Sequence, residues 1–160
     1  MKEHKGRAPS LAELDIRDVR LGIVASRFNS AIVERLVDGA QKTLAEAGIA
    51  ETAIMLLHVP GAFELPLAAR QLAVRDDCDG VIALGAVIRG ETAHFDYVCR
   101  GATDGLMRVC LDYGMPIGFG LLTVENEAQA LARATDTDNK GRDAAETVLQ
   151  MISLARGLRL

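Results

Sequence analysis

Five residues of the segment Arg89-Gly-Glu-Thr-Ala-His94 could do chemistry together: Arg89, Gly90, Glu91, Thr92 and His94. They stand where an apolar run, Gly80-Val-Ile-Ala-Leu84, gives way to a helical pattern. In that pattern Phe95, Val98, Cys99, Ala102, Leu106, Val109, Cys110 and Tyr113 recur on one face. The spacing predicts a strand buried on both faces, a polar turn and a long helix. A helix start offers unpaired backbone N–H groups and the positive end of a dipole, so it suits an anion. A neutral imidazole in the first turn could accept or shuttle a proton beside that anion. Anion binding with proton transfer is as far as these residues go unaided.

The elements that must hold this turn read off in order. Residues 1–10 carry Lys2, His4, Lys5, Arg7 and Pro9 without periodicity and read as a mobile tail, with His4 solvated. Residues 11–18 read as a connector or short edge element. Val19–Ala25 reads as a strand, running into Ser26-Arg-Phe-Asn29. Asn29 or Ser30 can cap the helix whose face is Ile32, Val33, Leu36, Val37, Ala40 and Leu44, and Gly48 stops it. Ala53–Val59 is a second strand, broken by Pro60-Gly61. Ala62-Phe-Glu64 leads into a helix with Pro66 in its first turn and Leu65, Ala68, Ala69, Leu72 and Ala73 inside. Gly114 and Pro116 close the long helix, and Ile117–Leu122 is a fourth strand. Asn126 and Gln129 have capping-box spacing for a short helix through Arg133. Thr135–Lys140 is a polar loop. A last helix puts Ala145, Val148, Leu149, Ile152 and Ala155 on one face.

Strand and helix alternate four times, with connections long enough for right-handed crossovers, which predicts an α/β sandwich around a parallel sheet. Residues 1–18 form the tail and connector, and 19–160 one domain. Ligands of such sheets bind beyond the carboxyl ends of the strands. Phe28-Asn29, Gly61–Glu64, Arg89–His94 and Thr123–Asn126 all land there.

Composition narrows the classes. A net charge of −4 gives no global basic surface for nucleic acid. With 49% hydrophobic and 25% charged residues the balance is that of a soluble domain, and no apolar run approaches a membrane span. The N-terminus is no secretory signal, and the three cysteines, Cys78, Cys99 and Cys110, lack metal spacing. They read as buried, reduced thiols of a cytoplasmic protein. Asp76, Asp77 and Asp79 read as a solvated turn rather than a metal site. No phosphate-binding loop of the G-x-x-x-x-G-K-[ST] kind occurs. Phe28 is unusual in a polar turn, since an aromatic ring normally seeks the core. It is either packed inside or a stacking platform for a flat ligand. His58, inside a strand, reads as an ordinary polar residue.

Gly85-Ala-Val-Ile-Arg-Gly-Glu-Thr-Ala-His-Phe-Asp96 resembles the signature of the lumazine synthase family. Three further segments match in order: Ser26-Arg-Phe-Asn29, Val59-Pro-Gly-Ala-Phe-Glu-Leu-Pro66 and Pro116-Ile-Gly-Phe-Gly-Leu-Leu-Thr123. The resemblance implies a flavodoxin-like, three-layer α/β/α sandwich on a four-stranded, mainly parallel sheet. It implies a transferase-class synthase, acting at the penultimate step of riboflavin biosynthesis. Its reaction condenses 5-amino-6-(D-ribitylamino)uracil with 3,4-dihydroxy-2-butanone 4-phosphate. The products are 6,7-dimethyl-8-ribityllumazine, phosphate and water, and no metal or organic cofactor is implied.

The same resemblance implies roles. His94 would be the catalytic acid/base, and Phe28 would stack on the pyrimidine. Asn29, Ala62, Phe63, Glu64, Ala86, Val87, Ile88 and Phe119 would hold the ring and ribityl chain. Glu91, Thr92 and Arg133 would bind phosphate, through backbone N–H groups, the Thr92 hydroxyl and the Arg133 guanidinium, with the Glu91 carboxylate pointing elsewhere. Lys140 could add a second positive charge. Without the resemblance, Glu64 is a first-turn helix acid, Phe119 a buried strand residue and Arg133 a surface arginine ending a helix. The site would lie between subunits of a homo-oligomer, with Phe119 and Arg133 from the neighbour, and riboflavin synthase is a candidate partner. Pentamers, decamers and sixty-subunit shells occur in the family. Many shell-forming members read Gly-Thr-Lys-Ala-Gly-Asn-Lys-Gly before the last helix. Here Thr135-Asp-Thr-Asp-Asn-Lys-Gly141 is shorter and more acidic, which favours a free pentamer. Ala93 stands where proline is common. Two rival readings are a flavin-binding paralogue with weak turnover and a structural assembly subunit.

Overall fold

Four apolar runs set the sheet. The computed structural model describes residues 6–159. Of the expected tail, residues 1–5, with Lys2, His4 and Lys5, lie outside the described residues, and Gly6 to Ser10 are exposed without regular structure. The strands are β1 (Leu21–Ser26), β2 (Ile54–Val59), β3 (Gly80–Ile88) and β4 (Ile117–Val124). They pair in the order β2-β1-β3-β4, all parallel. β1 is buried along its whole length and β3 through Ala86, as central strands covered on both faces must be. β2 and β4 are the edges and carry exposed positions.

Helices cover both faces. α1 (Ser30–Glu46) and α5 (Lys140–Leu158) pack on one, and α2 (Leu65–Ala73) and α3 (His94–Tyr113) on the other. The short α4 (Glu127–Ala132) lies at the end of β4 and buries Ala130 in the α1/α5 layer. The first layer is built from Ile23, Leu36, Leu44, Ile82, Leu84, Val148 and Leu149; the second from Val24, Leu65, Ala69, Leu72, Val81 and Leu106. A fully buried side chain of this size contributes about 1.5–3 kcal/mol. The expected three-layer α/β/α sandwich is therefore present.

Several expectations shift at the ends. The third strand runs past Leu84 to Ile88 and the fourth past Leu122 to Val124, because each continues to find a partner in the other. Residues 11–17 are docked rather than merely connecting. Leu11–Glu13 form a 3-10 turn, and Leu11, Leu14 and Ile16 pack on the α1/α5 layer. The Asp15 N–H donates to Ser153 Oγ at 2.9 Å, and Arg156 Nη1 donates to the Arg17 carbonyl at 2.9 Å. Lys140 is the first residue of α5, whose start Asn139 caps by accepting from the N–H groups of Gly141 and Arg142 at 2.9 and 3.1 Å. Gly141 is obligatory for packing, since a Cβ there would strike the Leu36 backbone carbonyl of α1. The cysteines are free but half-buried, not buried, because they lie at the margins of the core. Burial still pushes the Cys78 and Cys99 thiols up. Asp77 pairs with Arg75 at 2.8 Å and Asp79 accepts from the Arg20 N–H at 2.8 Å, so the acidic turn is structural. Among the described residues no helix is long and apolar enough to cross a membrane.

Candidate active site

The sheet order reverses direction at β1 and β3: the chain leaves β1 for β2 on one side and returns across β1 to β3. Their adjacent carboxyl ends leave a crevice, the place where open parallel sheets bind ligands. A cleft of about 580 Å³ opens there. It is lined by Phe28 and Asn29 after β1, Gly61 to Glu64 after β2, Ala86, Val87 and Ile88 of β3, Gly90 and Thr92 of the following turn, and His94, Phe95, Tyr97 and Val98 of α3.

Local geometry explains each placement. Asn29 occupies the residue before α1, but in a left-handed conformation with φ 57°. Its side chain does not cap that helix, as expected of it, and instead donates to the Ala86 carbonyl at 2.9 Å. The Asn29 backbone carbonyl closes the first turn of α1, accepting from Ile32 and Val33. The Arg27 N–H donates to the Val59 carbonyl at 2.8 Å, so the turn carrying Phe28 is held by both neighbouring strands. Phe28 is 72% exposed, which rules out core packing within one chain. Phe63 at 62% and Tyr97 at 72% flank the same cleft. Large rings left this open around one concavity mark a binding surface. A single 3-10 turn, Ala62–Glu64, presents Phe63 and Glu64, and Pro66 follows in the first turn of α2.

His94 is the first residue of α3 and is exposed. Its N–H donates to Thr92 Oγ1 at 3.3 Å, which leaves the Thr92 O–H free to donate to a ligand. Glu91 is exposed but is not among the lining residues, in keeping with a carboxylate turned from an anion site. Phe119 is 49% exposed on the edge strand β4, and Arg133 ends α4 on the surface. Neither lines the cleft of its own chain. Arg133 Nη1 donates to the Gln129 carbonyl at 2.9 Å. The cleft thus gathers ten of the thirteen expected residues and leaves Glu91, Phe119 and Arg133 outside. Lys140 also stays away, paired with Asp143 at 3.3 Å and Asp138 at 3.6 Å. His58 faces Glu34 of α1 at 3.2 Å, outside the cleft.

Sequence reasoning did not place Phe95, Tyr97 or Val98 of α3 in the site, nor Gly101 beside them. Tyr97, Val98 and Gly101 follow His94 at intervals of three, four and seven and so share its face. Gly101 lets the Phe63 ring lie against the helix; a Cβ there would come within 2.6 Å of that ring. The helical spacing from His94 was the available signal. A second depression, about 660 Å³, lies by α1 and α5, lined by Arg35, Asp38, Lys42, Glu46, Asp136 and Arg142 among others. Its charges are mixed and none of the matched motifs reaches it.

The fold and the cleft define a parallel α/β protein with an open, ring-lined cleft at the carboxyl edge, beside a helix start bearing a histidine. The family model described as 6,7-dimethyl-8-ribityllumazine synthase matches residues 18–156. A 6,7-dimethyl-8-ribityllumazine synthase of Nitratidesulfovibrio vulgaris is 46% identical over 147 residues, covering 91% of this chain and 94% of its own. One of Halorhodospira halophila is 47% identical over 144 residues, 89% and 92% of the two chains. One of Protochlamydia amoebophila is 42% identical over 161 residues, 100% and 90%. The chain belongs to the 6,7-dimethyl-8-ribityllumazine synthase family.

Proposed function

We infer that the cleft condenses 5-amino-6-(D-ribitylamino)uracil with 3,4-dihydroxy-2-butanone 4-phosphate, giving 6,7-dimethyl-8-ribityllumazine, phosphate and water. Family membership carries the reaction. One observation carries its location: Phe28, Glu64 and His94, from three different strand-to-helix turns, border one volume. Phe28 offers a ring face for the pyrimidine, and Asn29, Ala62, Phe63, Ala86, Val87 and Ile88 enclose it. Glu64 accepts hydrogen bonds from ribityl hydroxyls. The turn before α3, with Thr92 and the backbone near Glu91, receives the phosphate at a helix start. His94 takes and returns protons as the imine forms, phosphate leaves and the ring closes. Holding the two reactants together supplies much of the acceleration.

The composition of the cleft supports an oligomeric reading. Glu64 is the one permanently charged side chain among the lining residues, so a bound phosphate finds no cation there. Arg133 is a surface cation without a carboxylate partner among the described residues, and Phe119 is an exposed ring. We assign both to the cleft of an adjacent subunit. Leu67, Met107 and Leu111 remain more than half exposed on the α2/α3 layer, as expected of a face awaiting a second copy. A homopentamer is the assembly favoured by the short, acidic loop 135–139, in a cytoplasmic protein whose residues 19–160 form one domain. Riboflavin synthase, which consumes the product, is the candidate partner.

The test is to mix both substrates with the protein and follow lumazine fluorescence, with assembly size measured on the same sample. Product from a particle of about five chains is expected. Flavin binding without product would instead favour a storage or sensing role.

A further inference from the structure

Arg89 leaves β3 one residue after the cleft wall, and its N–H, Nε and Nη1 all find partners. Its N–H donates to the Val124 carbonyl at 2.9 Å, fixing the end of β4. Its Nε donates to Glu125 Oε2 at 2.8 Å and its Nη1 to Asp96 Oδ1 at 3.2 Å. The guanidinium carbon stands 4.3 Å from the centre of the Phe95 ring, itself part of the cleft wall. The hydrogen bond to Glu125 raises the arginine above its ordinary pKa.

The contacts continue on both sides. Asp96 lies in the first turn of α3, two residues after His94. The Glu125 N–H donates to Gln129 Oε1 at 2.8 Å, and the Gln129 N–H is held by Asn126 Oδ1 at 2.9 Å. The Gln129 carbonyl accepts from Arg133 Nη1 at 2.9 Å. An unbroken chain, Asp96–Arg89–Glu125–Gln129–Arg133, therefore joins the histidine's helix start to the arginine that leaves its own cleft. A planar fork gripped by two carboxylates and stacked on a ring has one orientation. Its exposed ion pairs add little to stability, so orientation is the effect left to look for.

We propose that Arg89 is a positioning residue that, through Glu125 and Gln129, aims Arg133 at the phosphate of the substrate in the neighbouring cleft. The proposal rests on the reading of Arg133 given above. It also sets each subunit's helix start and its exported arginine in one register, so that adjacent clefts share a mechanical link. Arg89 does not line the cleft, and two carboxylates already engage its guanidinium, so Arg133 is the cation left for the phosphate.

Steady-state kinetics of the assembled enzyme test this. Glu125→Gln removes the charge that grips the guanidinium without shortening the side chain. It is expected to raise KM for the phosphorylated ketone about three- to tenfold, with kcat and the pyrimidine KM within about twofold. Arg89→Lys, which keeps charge but loses the fork, should do the same. In an Arg133→Ala background Glu125→Gln should add nothing, because the residue it aims is gone. An unchanged ketone KM for Glu125→Gln overturns the proposal. So does an equal rise in both backgrounds, or a rise in both KM values together with a large fall in thermal midpoint. Absence of any condensation by the unmodified protein would instead overturn the assigned reaction.

Discussion

The side-chain amide of Asn29 donates to the Ala86 carbonyl at 2.9 Å, tying the left-handed turn after β1 to the middle of the cleft wall on β3. The turn carrying Phe28 is held by that bond, by the Arg27 N–H on the Val59 carbonyl and by the Asn29 carbonyl in the first turn of α1. Two substitutions separate the conformational effect from the hydrogen bond. Asn29→Ala loses the bond and places a Cβ where φ is positive, at about 1–2 kcal/mol for the backbone and about 1 kcal/mol for the bond. Asn29→Gly loses the bond only. Denaturant unfolding should show the alanine variant as the less stable, while both raise KM for the pyrimidine. Equal stabilities would mean the turn relaxes.

His94 serves proton transfers that water can partly perform once both substrates are held. His94→Ala should lower kcat by about ten- to a hundredfold, at or below the usual range for general acid–base catalysis. Both KM values should move little. Complete loss of product with substrate binding intact would show that the histidine does more than shuttle protons.

Arg133 stands outside its own cleft, where the one described hydrogen bond of its guanidinium is to the Gln129 carbonyl. Arg133→Ala should raise KM for the phosphorylated ketone by more than tenfold, at about 1.5–3 kcal/mol for a charged hydrogen bond, and spare the pyrimidine KM. An unchanged ketone KM would remove it from the site.

Gly141 lets α5 approach α1 until its Cα lies against the Leu36 carbonyl. Gly141→Ala must push two helices apart, at about 1–3 kcal/mol or more. A lowered thermal midpoint is expected, with the cleft kinetics preserved in whatever fraction folds. Gly157, which has open space around it, is the control.

Asp77 accepts two hydrogen bonds from Arg75, which hold its carboxyl below the ordinary value of 3.8. A depressed carboxylate contributes stability above its unfolded pKa and loses it as pH falls through the folded one. The stability difference between the unmodified protein and Asp77→Asn should therefore be constant near neutrality and shrink below about pH 3.8. Because the pair is exposed, the difference is small, and thermal midpoints across that window will reveal its sign.

The alternation of strands and helices was plain in the sequence, since short continuous apolar runs and helical periods of apolar residues differ so clearly. So was the rim on which the motifs gather, because parallel strands must all present their carboxyl ends together. The strand ends were not legible: Ile88 and Val124 are strand residues because they pair with each other, and pairing is a non-local fact. Asn29 misled for a related reason. Its type suits a helix cap, yet the Ala86 carbonyl, far away in sequence, is its partner. The ion pairs of Arg89 were equally hidden, as Asp96 and Glu125 acquire meaning only once β3, α3 and β4 meet.

α5 is the last element of the chain, and it supplies Val148, Leu149 and Ile152 to a layer that β1 and α1 begin. During synthesis α1 therefore covers only part of its face of the sheet, and the rest of that layer stays open to water until α5 has been made. A message broken just before the codon for Lys140 would yield a polypeptide with every motif of the cleft in place and only α1 and α4 over that side of its interior. Such a product would meet the cell's quality control before it met a substrate.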